Sequence, residues 1–239
     1  MRHLSLAIFA VGSVLCTLSL QAADWTGFRG PGGMGISAAR NVPVSWSSSE
    51  NIVWRTPLPG PGASTPITLG NRVFVTSYSG YGLEAGQGQQ EALKRHLLCV
   101  NRKSGDIIWH KQLDPKLPEH NYQGEGAYHG YAASTPLTDG KNLFVFFGKS
   151  GVFCFDLDGN QLWQTSVGEG TSGWGSGCSP LLLGNMLIVN ASVESGSIVA
   201  LDKTSGKELW RSGGIGSSWN TPLVVKTGDM SELVVSVQN

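Results

Sequence analysis

Ser134-Thr135-Pro136-Leu137-Thr138-Asp139-Gly140, running on to Gly159-Asn160-Gln161-Leu162-Trp163, is the stretch that decides the fold. A hydroxyl residue precedes a proline, an apolar strand follows, glycine turns separate further strands, and the unit closes on Gly-x-x-x-Trp. The same order runs from Ser64-Thr65-Pro66 to Gly105-Asp106-Ile107-Ile108-Trp109 and from Cys178-Ser179-Pro180 to Gly206-Lys207-Glu208-Leu209-Trp210. It opens a fourth time at Asn220-Thr221-Pro222 and stops in mid-pattern. The prolines stand at 66, 136, 180 and 222, so the intervals are 70, 44 and 42. A period of roughly 40–45 residues with four short strands per copy is the signature of a propeller blade. The reading is therefore all-β, a partial β-propeller of four-stranded antiparallel blades. About three and a half blades are present of a ring of roughly seven or eight, the remainder being expected from C-terminal sequence beyond residue 239.

Within the second copy, strands are expected at 136–138, 143–147, 152–156 and 162–165. Asp139-Gly140 and Gly148-Lys149-Ser150-Gly151 turn the chain, since glycine with a polar neighbour tolerates the positive φ of tight hairpins. Val152-Phe153-Cys154-Phe155 is an unbroken apolar run, as a strand covered on both faces requires. The third copy places strands at 187–190, 197–202 and 209–211, and the first at 73–76, 97–101 and 107–110. The first copy is stretched by a connection over 77–96, read as a mobile surface loop with a short helix at 91–95, and by a second over 112–132. Upstream, Asn51-Ile52-Val53-Trp54-Arg55 resembles a lone fourth strand, the kind that completes a last blade and closes a ring.

The 17 basic and 17 acidic residues cancel, so no net field draws in nucleic acid or an anionic membrane. Charged residues are only 14 % while 33 glycines are present, a mix that suits many strands and tight turns. Arg2 and His3 precede an apolar run over 4–20 and a small-residue cleavage site at Leu20-Gln21-Ala22. Residues 1–22 read as a secretory signal, with no further stretch suited to a transmembrane span. A lead segment over 23–50 and the propeller over 51–239 follow, and the protein is expected in the periplasm or outside the cell. Cys99 and Cys154 share one repeat position, where the third copy has Ala200. They read as small buried apolar residues rather than a bridge, and Cys178 has no partner at zinc-ligand spacing.

The Gly-x-x-x-Trp endings, with Leu201-Asp202-Lys203-Thr204-Ser205-Gly206 before the third, resemble the repeats of pyrroloquinoline-quinone-like (quinoprotein-type) β-propellers. Asp24-Trp25-Thr26-Gly27-Phe28-Arg29-Gly30-Pro31 resembles the start of secreted members common in planctomycete-type bacteria. The resemblance implies a propeller but does not settle function, because the superfamily contains quinoprotein dehydrogenases, an outer-membrane assembly lipoprotein and propellers without assigned roles. The dehydrogenases among them pair adjacent cysteines with pyrroloquinoline quinone (PQQ) and calcium. No two cysteines are adjacent here.

Loops leading into the innermost strands open on one face of a propeller. Here they carry Tyr122, Tyr128, His129 and Tyr131, then Trp174, then Trp219. A wall of flat, partly polar rings at the channel mouth suits a planar or ring-bearing ligand. Tyr128, His129, Tyr131, Trp174 and Trp219 are the candidate ligand-binding residues. Trp109, Trp163 and Trp210, one per blade, are expected to pack between blades. His120, Glu125 and His129 lie close in sequence but match no metal motif, so no metal ligand is assigned. Gly168-Glu169-Gly170-Thr171-Ser172-Gly173 fits G-x-G-x-x-G by letter yet leads into a strand, not the helix a dinucleotide needs. The functional expectation is an exported, non-catalytic binding or assembly platform for a protein, peptide or carbohydrate on the channel face, with no cofactor. The alternative is a quinoprotein dehydrogenase-like enzyme using PQQ and calcium.

Overall fold

The computed structural model describes residues 23–84, 88–122, 127 and 129–237; the signal-segment reading falls on residues outside these. Three four-stranded antiparallel sheets and a two-stranded one follow each other along the chain, each in simple meander order. Blade 1 comprises β1 (Ile67–Leu69), β2 (Arg72–Ser79), β3 (Lys94–Asn101) and β4 (Ile107–Leu113). Blade 2 comprises β5 (Leu137–Thr138), β6 (Asn142–Phe146), β7 (Val152–Asp156) and β8 (Gln161–Thr165). Blade 3 comprises β9 (Leu181–Leu183), β10 (Met186–Ala191), β11 (Ser197–Asp202) and β12 (Glu208–Gly213). The fourth unit is the hairpin β13 (Leu223–Thr227) and β14 (Met230–Val234). The partial propeller is thus an open arc.

Strand alternation explains how the blades cohere. Leu143, Val145, Phe153 and Phe155 of blade 2 join Phe74, Leu97 and Cys99 of blade 1 in one buried cluster. The intervening Phe144, Phe146, Val152 and Cys154 point the other way and join Leu187, Val189, Val199 and Leu201 of blade 3. Successive side chains of a strand face opposite sides, so a strand buried on both reads as a continuous apolar run. Phe144, Phe146 and Phe155 are almost fully buried, each contributing on the order of 2–3 kcal/mol from area alone.

One irregularity recurs in every complete blade. The ladder between the third and fourth strands slips after Cys99, after Cys154 and after Ala200. Those residues lie opposite Trp109, Trp163 and Trp210. A small side chain facing a tryptophan next to a bulge is the shared device, and it accounts for Cys99 and Cys154, both buried free thiols.

Two expectations are corrected. The 77–96 connection is shorter than the sequence suggests, because β2 and β3 stay paired out to Ser79 and Lys94. The expected helix at 91–95 is a single 3-10 turn, Gln90–Ala92, and Arg95 and His96 are buried strand residues. The connection is not merely surface, since Tyr81 and Leu93 enter the core. Residues 51–55 form no strand either. Trp54 nevertheless covers the free face of blade 1, over Val75, Leu98 and Val100.

Candidate functional site

The hydroxyl residues before the prolines build the inner wall. The Thr65 amide donates to Thr135 Oγ1 at 3.0 Å, the Thr135 amide to Ser179 Oγ at 2.9 Å, and the Ser179 amide to Thr221 Oγ1 at 2.9 Å. Each blade therefore hands its backbone N–H to the side chain of the next. Proline directly after the hydroxyl residue holds it extended, and its hydroxyl oxygen accepts the bond.

The lead segment lies across these inner strands. Trp25 exchanges hydrogen bonds with Thr68 of β1, donating to its Oγ1 at 2.9 Å and accepting from its amide at 2.8 Å. The Thr26 carbonyl accepts from the Thr138 amide of β5 at 2.9 Å, and Asp24 Oδ1 accepts from the Gly70 amide at 2.8 Å. The segment thereby occupies donors that inner edge strands would otherwise leave open. Gly30, at a φ of +68°, folds back so closely on Trp25 that a Cβ there would sit 2.5 Å from the indole. This turn leaves Phe28 projecting.

Phe28, His129, Trp174 and Trp219 form the walls of a cleft of about 400 Å³. Its floor consists of Thr135 and Ser179 with the small residues Ala63, Ala133 and Gly177. Trp219 is fixed by its indole N–H, which donates to the Gly175 carbonyl at 2.8 Å. Trp174 meets His129 edge-on, with centroids 6.3 Å apart, and is half exposed. Of the five candidate ligand-binding residues, His129, Trp174 and Trp219 thus share one cleft. Tyr131 stands apart: it is 4 % exposed, stacks on Tyr122 at 4.6 Å, and donates its hydroxyl to the His120 carbonyl at 2.7 Å. Tyr128 and Glu125 lie outside the described residues. Sequence reasoning missed Phe28, Thr135 and Ser179 as lining residues, although the hydroxyl-proline repeat already marked the last two.

A buried polar cluster supports the cleft from below. Arg95 pairs with Glu119 at 2.5 Å, donates to the Tyr131 carbonyl at 2.9 Å and to Ser150 Oγ at 2.5 Å, and lies over the Phe147 ring. Both charged groups are nearly inaccessible, so the pair depends on the hydrogen bonds that each guanidinium nitrogen makes rather than on net stability from charge burial. Nearby, Ser176 donates to Glu194 Oε1, while Glu194 Oε2 is buried without a partner. Burial pushes the Glu194 carboxyl up to about 7, against the Ser176 hydrogen bond that lowers it. Ser176 belongs to the loop that carries Trp174, so Glu194 braces that wall.

The repeat tryptophans are placed between blades. The Trp54, Trp109 and Trp163 indole N–H groups donate to the carbonyls of Arg102, Leu157 and Lys203. Their rings lie on Gly105, Gly159 and Gly206, the glycines that open Gly-x-x-x-Trp in the following blade. Among the described residues no glycine turn meets Trp210, which is 38 % exposed.

Pyrroloquinoline quinone with calcium can be tested against these residues. Calcium takes about 6–8 oxygen ligands. Glu194 Oε2 is one unengaged buried oxygen, on a carboxyl whose charge the site disfavours. Among the described residues no three His, Cys, Asp or Glu side chains converge on a point where they would hold a metal. These residues do not fit a calcium centre. The 168–173 glycines precede no helix, and Gly168 and Gly170 pack against the Glu194 backbone.

The family model PQQ_2, described as outer membrane protein assembly factor BamB, matches residues 93–231. No curated protein matches the sequence. Among solved structures, quinohemoprotein alcohol dehydrogenase from Comamonas testosteroni is similar with a TM-score of 0.57 at 15 % identity, over 80 % of this chain and 27 % of that one. BamB from Moraxella catarrhalis is similar with a TM-score of 0.47 at 14 % identity, over 69 % of this chain and 44 % of that one. The chain thus spans about a quarter of the length of the first and under half of the second.

Proposed function

The chain belongs to the family described as outer membrane protein assembly factor BamB, and from that premise we propose that it is an exported binding platform without a catalytic role. Its ligand, a protein, peptide or carbohydrate, docks at the channel mouth. The observation that carries this reading is the cleft of Phe28, His129, Trp174 and Trp219, an aromatic enclosure with a hydroxyl floor. Such a surface offers apolar contact with a few orienting hydrogen bonds, the usual composition of a binding site. Export to the periplasm or beyond is supported by the apolar 1–22 segment, and no helix among the described residues is long and apolar enough to cross a membrane.

The test is to add pyrroloquinoline quinone and calcium to the protein and assay alcohol- or sugar-dependent dye reduction. The platform reading expects none. Saturable dye reduction that is lost in Trp174→Ala would overturn it in favour of a quinoprotein enzyme.

A further inference from the structure

Three neighbouring strands of blade 1 bring together a serine and two histidines that take no part in the cleft. Ser79 ends β2, His96 lies on β3 and His110 on β4. Ser79 Oγ is 2.7 Å from His96 Nε2, and His96 Nδ1 is 3.0 Å from His110 Nε2. The register explains the meeting. Ser77 stands opposite His96 and His110 opposite Leu98, so all three side chains share the face that carries Val75 and Leu98. His96 is 2 % exposed, whereas Ser79 is half-buried and His110 exposed. The buried imidazole thus spends both nitrogens on side chains, one a reachable hydroxyl and the other a ring open to water. Burial lowers the His96 pKa and the charge on His110 lowers it further, so the ring is neutral at ordinary pH. Lys94, opposite Ser79, is engaged by Asp114 at 2.6 Å, and the 57–62 segment beside β2 is uncharged.

We propose that Ser79 is an activated nucleophile that accepts the acyl group of an activated carboxylic ester, with His96 as its base and His110 positioning that base. A neutral His96 that donates Nδ1–H to His110 presents Nε2 to the serine hydroxyl as an acceptor. Nucleophile, base and orienting group in this order are the arrangement that activates a serine. Ser79 Oγ attacks the ester carbonyl while its proton passes to His96 Nε2. The bond to the leaving oxygen then breaks, and that oxygen takes the proton from His96. A serine ester and a free alcohol or phenol result. The transfer uses the hydroxyl once per chain and requires no turnover, so it goes beyond the platform reading without resting on it.

The experiment treats the full chain with p-nitrophenyl acetate and locates the acetyl group by peptide mass. The expected result is acetylation at Ser79, absent from that peptide in Ser79→Ala. Its rate should be lost as pH falls through the His96 value and level off above it, with the midpoint below the ordinary 6.5. His110→Gln, at an exposed position, should slow the reaction and move the midpoint up toward 6.5, because a charge that disfavours protonation of His96 is gone. His96→Gln should slow it by roughly a hundredfold or more. If that buried variant does not fold, the midpoint in the parent protein decides instead. No acetyl group on Ser79, or a rate that climbs with hydroxide and never levels off, overturns the inference. An unchanged midpoint in a normally melting His110→Gln protein overturns the positioning role of His110.

Discussion

The Trp163 ring fills the space where a side chain on Gly206 would begin: a Cβ there would lie 2.6 Å from the indole, and Gly206 holds a φ of +72°. The indole N–H also reaches the Lys203 carbonyl at 3.2 Å. Gly-x-x-x-Trp is therefore self-complementary. Its glycine receives the tryptophan of the preceding blade, and its tryptophan seeks the glycine of the next.

Trp163→Ala should cost about 3–5 kcal/mol, as for other large aromatic truncations in a core. Gly206→Ala should cost a comparable amount, combining a left-handed backbone with displacement of the ring. Because both remove one contact, the double variant should lose clearly less than the sum. Urea unfolding of the four proteins checks this, and strictly additive losses would refute the docking.

The Thr135 amide and the Ser179 hydroxyl form one rung of the inter-blade ladder, both residues 2 % exposed. Ser179→Ala strands a buried N–H and should cost about 1–3 kcal/mol. Ser179→Thr keeps the acceptor and should recover most of that loss. Equal melting temperatures for the serine and alanine proteins would rule out the ladder as a source of stability.

Glu194 makes stability depend on pH in an unusual direction. Its folded value of about 7 lies above the ordinary 4.5, so the fold binds the proton more tightly than the unfolded chain does. This contribution is intact below about pH 4.5, declines as pH rises to about 7, and is lost above that, a change of order 3 kcal/mol. Glu194→Gln cannot ionise, so the loss of stability between roughly pH 5 and 8 should shrink in it. A variant whose melting temperature falls over that range as steeply as the parent's would refute the assignment.

Burial holds the Cys99 thiol up at about 11 and the Cys154 thiol at about 12, and raises that of Cys178 as well. The thiolate is the reactive form, so none of the three should react with a thiol reagent near pH 8 in the folded protein. All three should react after unfolding. Rapid labelling of any of them without denaturant would contradict the packing of the blades.

The blades were legible because their grammar is local. A proline, a glycine turn and strands of the right length recur at a fixed interval, and β7 and β11 coincide with the strands expected at 152–156 and 197–202. The first copy was harder, because the apolar pattern around Arg95 and His96 is broken by charge. Arg95 can be buried on a strand because the Glu119 carboxylate, 24 residues away, neutralises it, with Ser150 and the Tyr131 carbonyl taking further bonds.

The sequence by itself determined the repeat and the strand order within each blade, since both depend on residues close along the chain. The tertiary structure alone decided which aromatics share a cleft. Tyr131 and Trp174 look alike as loop residues, yet one packs among Tyr78, Tyr81 and Tyr122 while the other faces solvent. Phe28 enters the cleft from the far end of the chain, because the backbone donors of Thr68 and Thr138 draw the lead segment across the inner strands. Contacts of that separation are selected by the geometry of the assembled arc, and no local pattern records them.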